Sequence, residues 1–140
     1  MRQILLFAAL AVSLALLSGC ALSKAKADTA EDMADKAAYH KLSAEEAYEM
    51  MASQEVVVVD VRTREEYDGG HIENAVLVPN ESIGSEKPEA LPDKEATLLV
   101  YCRSGRRSKD AAQKLLALGY QSVYDFGGVI DWPYELVKEG

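Results

Sequence analysis

Four consecutive valines, Val56 to Val59, run straight into Asp60. A β-branched stretch with no polar alternation buries both of its faces, and a strand buried on both sides belongs in a parallel sheet covered by helices. Ala75 to Val78, stopped by Pro79, and Thr97 to Tyr101 make the same demand, and Ser122 to Phe126 supplies a fourth strand. Helix signals separate them. Ser43-Ala44-Glu45-Glu46 is a capping-box pattern, and Ala47, Met50 and Met51 form the apolar stripe of a helix reaching about Ala52. Thr63-Arg64-Glu65-Glu66 opens a second, short helix that Gly69-Gly70 ends. Ser108 to Leu118 places Ala111, Ala112, Leu115, Leu116 and Leu118 on one side of a third, with Gly119 at its C-terminal cap. Trp132 to Val137 predicts a closing helix with Pro133 in its first turn. Residues 80 to 95 read as a long surface connection with solvated carboxylates. Alternating strands and helices give an α/β fold, a parallel sheet with helices on both faces.

In such sheets ligands bind beyond the carboxyl ends of the strands, and both Asp60 and Cys102 fall at strand ends. The chain length of 140 residues suits one domain. A net charge of −8 leaves no basic excess to neutralise phosphates, so nucleic acid is not an expected partner. Two cysteines and two histidines, His40 and His71, show no close ligand spacing, so no metal site and no cofactor are expected.

The first 19 residues read as an export signal rather than as part of the fold. Met1 and Arg2 make a short basic start, and Ile4 to Leu17 is an apolar run broken only by Ser13. It is too short to span a bilayer, which takes about 20 residues, and suits a signal-peptide core. Leu17-Ser18-Gly19-Cys20 resembles the bacterial lipobox, which implies cleavage before Cys20 and lipidation of that cysteine. Removing residues 1 to 19 takes away only Arg2, leaving 14 basic against 23 acidic residues and a net of −9. The expected location is extracytoplasmic and lipid-anchored. Ala21, rather than Asp, after the cysteine favours the outer membrane in a Gram-negative cell. Residues 20 to 38 cannot bury enough apolar surface to fold alone and read as a tether, with the domain spanning 39 to 140. One complete core of this size is expected to be monomeric.

Cys102-Arg103-Ser104-Gly105-Arg106-Arg107-Ser108 joins a buried strand to a helix N-terminus. Cysteine is a nucleophile only as thiolate, and its pKa falls near a helix N-terminus and arginines. Gly105 lets the backbone curl, so that successive N–H groups converge on an anion or a charged sulfur. A cysteine ending an apolar strand is often an inert core residue, but three arginines within five positions of it, in an acidic chain, point to a reactive one.

This loop resembles the active-site loop of rhodanese domains, the sulfurtransferases. The likeness extends to Asp60-Val61-Arg62, Glu66-Tyr67, Gly70-His71-Ile72 with Ala75, Leu118-Gly119-Tyr120, Val123-Tyr124 and Gly127-Gly128 with Trp132, covering roughly Tyr39 to Lys138. The layout is most similar to small periplasmic single-domain rhodaneses. The resemblance implies a rhodanese-like fold. It also implies a Cys102 persulfide, loaded from thiosulfate or a similar sulfane-sulfur donor and discharged to cyanide or a thiol. Arg103, Ser104, Gly105, Arg106, Arg107 and Ser108 would bind the substrate, with at least one arginine paired to a carboxylate instead. Arg107 gives a Cys-x4-Arg spacing; related phosphatases and arsenate reductases have one residue more, and position six here is Ser108. The alternative implied is a rhodanese-fold module that carries sulfur or binds a partner without turnover.

Asp60 and Arg62 are candidate supporting residues, read first as structural, with Asp60 capping a strand end and Arg62 pairing with Glu66 or a neighbour. His71 and Trp132 read as structural too. Where the family has Pro-Gly after Gly-His-Ile, this chain has Glu73-Asn74, and Asn74 can take the left-handed turn that Gly would.

Overall fold

The computed structural model describes residues 39–139. The expected signal segment, Cys20 and the tether lie outside the described residues. Five strands form one wholly parallel sheet: β1 (His40–Lys41), β2 (Val57–Asp60), β3 (Val76–Leu77), β4 (Thr97–Cys102) and β5 (Ser122–Gly128), in spatial order β1-β5-β4-β2-β3. Parallel pairing points every strand the same way, so Asp60 and Cys102 end neighbouring strands at one edge, and Asp125 lies in β5 opposite Val100 just short of it. The helices are α1 (Ala44–Ser53), α2 (Arg64–Asp68) and α3 (Arg106–Ala117).

The two cores follow from the strand pattern. Val59, Val61, Leu98, Val100 and Val123 face α3 and bury Ala111, Ala112 and Leu115. The opposite faces, with Val58, Leu99, Tyr101 and Phe126, bury Ala47 of α1 and Tyr67 of α2. Residue-by-residue alternation between two buried faces is what the unbroken valine run demands, and it fixes the sheet as the middle layer.

Both capping boxes form: Ser43 Oγ accepts from Glu46 N at 3.1 Å while Glu46 accepts from Ser43 N, and Thr63 with Glu66 repeats the arrangement. Asn74 takes φ 62° in the turn before β3, as its side chain allows. Helix α3 ends at Ala117 with Leu118 as its cap residue, and Gly119 follows at φ 94°, the left-handed conformation expected there.

Three expectations are corrected. No closing helix forms over 132–137. A 3-10 turn, Val129–Asp131, is followed by extended chain, and Val137 bridges His71 through two backbone hydrogen bonds of 2.8 and 2.9 Å. Pro133 is the cause. A residue before proline is pushed out of the helical region, and Trp132 sits at φ −77°, ψ 112°. Secondly, residues 80–95 are more than a surface connection. They contain a 3-10 turn, Asn80–Ser82, and bury Ile83 and Leu91 in the α3-side core, while their carboxylates are exposed. Lastly, α3 begins at Arg106, two residues before the apolar stripe suggested.

At the β2 and β4 ends a polar knot joins the layers. Tyr101 hydroxyl donates to Asp60 Oδ2 at 2.6 Å and accepts from Ile72 N at 3.1 Å, so it ties the sheet to the loop before β3. Burial and the Asp60 carboxylate both push the Tyr101 phenol above its ordinary pKa. Tyr101→Phe keeps the ring, leaves the Ile72 N–H without its acceptor and takes one of several donors from Asp60, which costs about 1–3 kcal/mol. Urea unfolding of the variant at neutral pH is expected to show a lower midpoint at unchanged slope.

Candidate active site

Cys102 ends β4 between the ends of β2 and β5, with 1% of its surface exposed. Its sulfur lies inside the curl of the following loop. Gly105 makes that curl at φ 96°, a conformation that L side chains rarely adopt, and its N–H donates to Cys102 Sγ at 3.0 Å. Burial pushes the thiol pKa up. The Ser108 backbone N–H, the Ser108 side chain and the N–H groups of Gly105 and Ser104 outweigh that, so the thiol ends below its ordinary value. The first turn of α3 contains no acidic residue, so the helix N-terminus faces the sulfur uncancelled.

The loop is built against β5. The register slips between Val100 and Cys102, because Val100 pairs with Asp125 while Cys102 pairs with Gly128. The extra residue in β5 brings Gly127 and Gly128 under the loop. A Cβ on Gly128 would overlap the backbone of Arg103 and Ser104, so only glycine permits this approach. The loop is pinned further by Ile130 N, which donates to the Arg103 carbonyl at 3.2 Å.

The arginines divide. Arg107 is held by Glu66 of α2 through two hydrogen bonds of 2.8 and 2.9 Å, a bidentate pair that fixes the guanidinium while leaving it partly exposed. It is therefore the arginine tied to a carboxylate. Arg103 and Arg106 are exposed, and among the described residues no carboxylate is ion-paired with either. Ser104, Arg106 and Arg107 line a cavity of about 660 Å³ with Asn80, Glu81 and Asp110. A larger one, about 730 Å³, lies between α1 and the Trp132–Glu135 segment and includes no residue of the loop. Ser108 points inward, fully buried, and its hydroxyl bonds Asp125 Oδ1 at 2.6 Å.

Asp60 and Arg62 form a structural pair rather than part of the loop. Arg62 Nη2 and Nε meet Asp60 at 2.6 to 3.1 Å, Arg62 N donates to Asp60 Oδ1 at 2.9 Å, and Nη2 also reaches the Gly70 carbonyl at 2.8 Å. Arg62 thus pairs with Asp60 and not with Glu66, which Arg107 occupies. His71 is buried, stacks on Tyr67 at 3.6 Å between ring centres and donates Nδ1–H to the Tyr67 carbonyl at 2.9 Å. Trp132 packs on Phe126 and Tyr48. Among the described residues no group of three His, Cys, Asp or Glu is placed to hold a metal ion.

Sequence reasoning missed Asp125, Tyr39 and Lys41. Asp125 is fully buried and accepts from Tyr39, Lys41, Ser108 and Gly127. The signal was available: Asp125 is an acid inside an otherwise apolar strand beside Phe126, one residue short of the paired glycines.

Residues 43–133 match the rhodanese-like domain family. The tRNA uridine(34) hydroxylase of Yersinia pestis is 32% identical over 106 residues, which cover 72% of this chain and 30% of that protein. The chain therefore spans about a third of the length of the curated relatives it matches. Among solved structures, a rhodanese from E. coli with anions is 34% identical with TM-score 0.55, covering 61% of this chain and 100% of the other. A human single-domain sulfurtransferase is 28% identical with TM-score 0.58, covering 66% and 93%.

The Glu66–Arg107 pair carries a pH signature. Arg107 first, against burial and with help from Thr63, lowers the Glu66 carboxyl to about 2. A carboxyl depressed in the folded state binds fewer protons there than when unfolded. Its contribution is complete above the unfolded value near 4.5 and is lost as pH falls toward 2. Glu66→Gln, which can keep the capping box, is expected to flatten the fall in stability between pH 5 and pH 2. Denaturant titrations of both proteins at several pH values across that window measure the difference.

Proposed function

The chain belongs to the rhodanese-like domain family, and we propose that it is a sulfurtransferase working through a persulfide on Cys102. The observation that carries this reading is the Cys102 sulfur enclosed by loop N–H groups at the start of a helix, with its pKa lowered. In the first half-reaction the Cys102 thiolate attacks the outer sulfur of thiosulfate or a like donor. The donor's S–S bond breaks, sulfite leaves with the bonding pair, and Cys102 carries a persulfide anion. In the second, an acceptor thiolate or cyanide attacks the terminal sulfur and returns Cys102 as thiolate. Two separate halves predict ping-pong kinetics.

The same N–H groups that stabilise the thiolate suit the persulfide anion, since both put negative charge on sulfur within the curl. Arg103 and Arg106 supply exposed cations for an anionic donor, with Arg107 held as a fixed charge behind them. The four-residue gap between Cys102 and Arg107 supports a sulfur rather than a tetrahedral oxyanion as cargo.

We further propose that Cys20 is lipidated and that the domain acts outside the cytoplasm as a monomer. The hydroxylase relatives favour no particular sulfur donor, and this chain matches only a third of their length. A partner-binding module without turnover is the second reading; the retained Cys102 argues against it.

Intact and peptide-level mass spectrometry of the full chain tests both proposals. Thiosulfate is expected to add one sulfur to the Cys102 peptide, cyanide to remove it, and Cys102→Ser to add none. A lipid mass on Cys20 after membrane extraction is expected with it. No sulfur gained from thiosulfate or polysulfide would overturn the transferase reading.

A further inference from the structure

The transferase reading leaves Asp125 without a role, although it has no exposed surface and pairs with Val100, two residues before the nucleophile. Four donors converge on it. Tyr39 hydroxyl at 2.6 Å and Lys41 Nζ at 3.2 Å meet Oδ2, while Ser108 hydroxyl at 2.6 Å and Gly127 N at 2.8 Å meet Oδ1. Lysine and a backbone amide can only donate, so this carboxyl is surrounded as an acceptor.

Ser108 is the informative partner. Its hydroxyl lies 3.0 Å from the Gly105 carbonyl and 3.2 Å from the Gly127 carbonyl, and it is one of the groups that lower the Cys102 thiol pKa. A hydroxyl has one proton. A 2.6 Å contact with a carboxylate is the strongest of these claims on it, since charge-assisted O–H···O bonds are shorter and about twice as strong as neutral ones.

We infer that Asp125 is a positioning residue for the nucleophile: by drawing the Ser108 proton toward itself it weakens the hydroxyl's support of the Cys102 thiolate and leaves the sulfur mainly to the backbone N–H groups of the loop. The thiolate then has a weaker donor in Ser108 than the loop could offer, and the Asp125 carboxylate stands behind that hydroxyl. Both keep it more basic than the loop would otherwise make it, and thiolate nucleophilicity rises with basicity. Other charges bear on this site too: Arg107 from α3, with Glu66 of α2 paired to it, and Lys41 of β1, which meets Asp125 beside the Tyr39 hydroxyl. Lys41 also sits beside Gly105 and Gly127, whose missing side chains leave room for its ammonium.

The inference deepens the transferase reading and rests on Cys102 as nucleophile. Its test does not depend on sulfur transfer, because iodoacetamide alkylates a thiolate whether or not sulfur ever reaches it. The pH dependence of alkylation at the Cys102 peptide of the full chain would be measured for wild type, Asp125→Asn, Ser108→Ala and the double variant, with circular dichroism as the control for folding. Asp125→Asn replaces a charged acceptor by a neutral one and frees the Ser108 proton toward sulfur. The alkylation midpoint is expected to drop by about one pH unit. In the Ser108→Ala background the same substitution is expected to give about half that drop, since only the charge is then lost. A merely structural Asp125 would loosen the loop and raise the midpoint. An unchanged or raised midpoint in folded Asp125→Asn, or equal drops in both backgrounds, would overturn the inference. If Asp125→Asn does not fold, Ser108→Ala decides: a midpoint within about 0.3 units of wild type supports the inference, and a rise of about one unit shows the proton was on sulfur and ends it.

Discussion

Cys102 stands between two carboxylates that have no exposed surface. Asp60 closes β2 on one side of β4, and Asp125 lies in β5 on the other. A parallel sheet delivers three strand ends to one edge, and unpaired backbone groups there must be satisfied by something. The two acids do this in different ways. Asp60 is neutralised by Arg62 and tied to Tyr101, which makes a rigid floor. Asp125 has no arginine and instead collects a phenol, a lysine, a serine and an amide. The loop over Cys102 hangs from the second set, through Ser108 and Gly127, and the strand that opens the domain is joined to it through Tyr39 and Lys41. Loss of a buried carboxylate's partners costs more than the bonds themselves, because the charge stays behind.

The sheet and its direction were readable from the valine run and its successors, because continuous burial is a property of residue type alone. The caps were readable for the same reason: Ser43 and Thr63 make local bonds three residues away. The closing segment was less legible: Pro133 is compatible with a helix's first turn, yet it also bars the residue before it from the helical region, and at Trp132 that restriction prevails. What pairs with what was not readable. Arg62 and Arg107 are both near Glu66 in plausible registers, and only the fold decides that Arg107 reaches it across 41 positions. The two-residue β1 left almost no periodic signal, and with it went Tyr39 and Lys41.

An acidic chain gathers its cations where the loop is. Arg103, Arg106 and Arg107 follow Cys102 within five residues, and Lys41 arrives from the edge strand, while the carboxylates of 81 to 95 are spread over the outer surface. Arg103 and Arg106, exposed and without an ion-paired carboxylate among the described residues, are the cations an approaching anion can meet there. Glu66 prevents this from being a loose cluster, since it locks Arg107 in one orientation.

The near-total enclosure of Cys102 has a consequence for what can touch it. With 1% of its surface exposed, the residue favours small reagents over bulky ones. A sulfur bonded to it stands about 2 Å further out. The empty and loaded forms then differ in reach. Bulky electrophiles would pass over the resting thiol and label the loaded sulfur, so the size of a reagent distinguishes the two halves of the cycle.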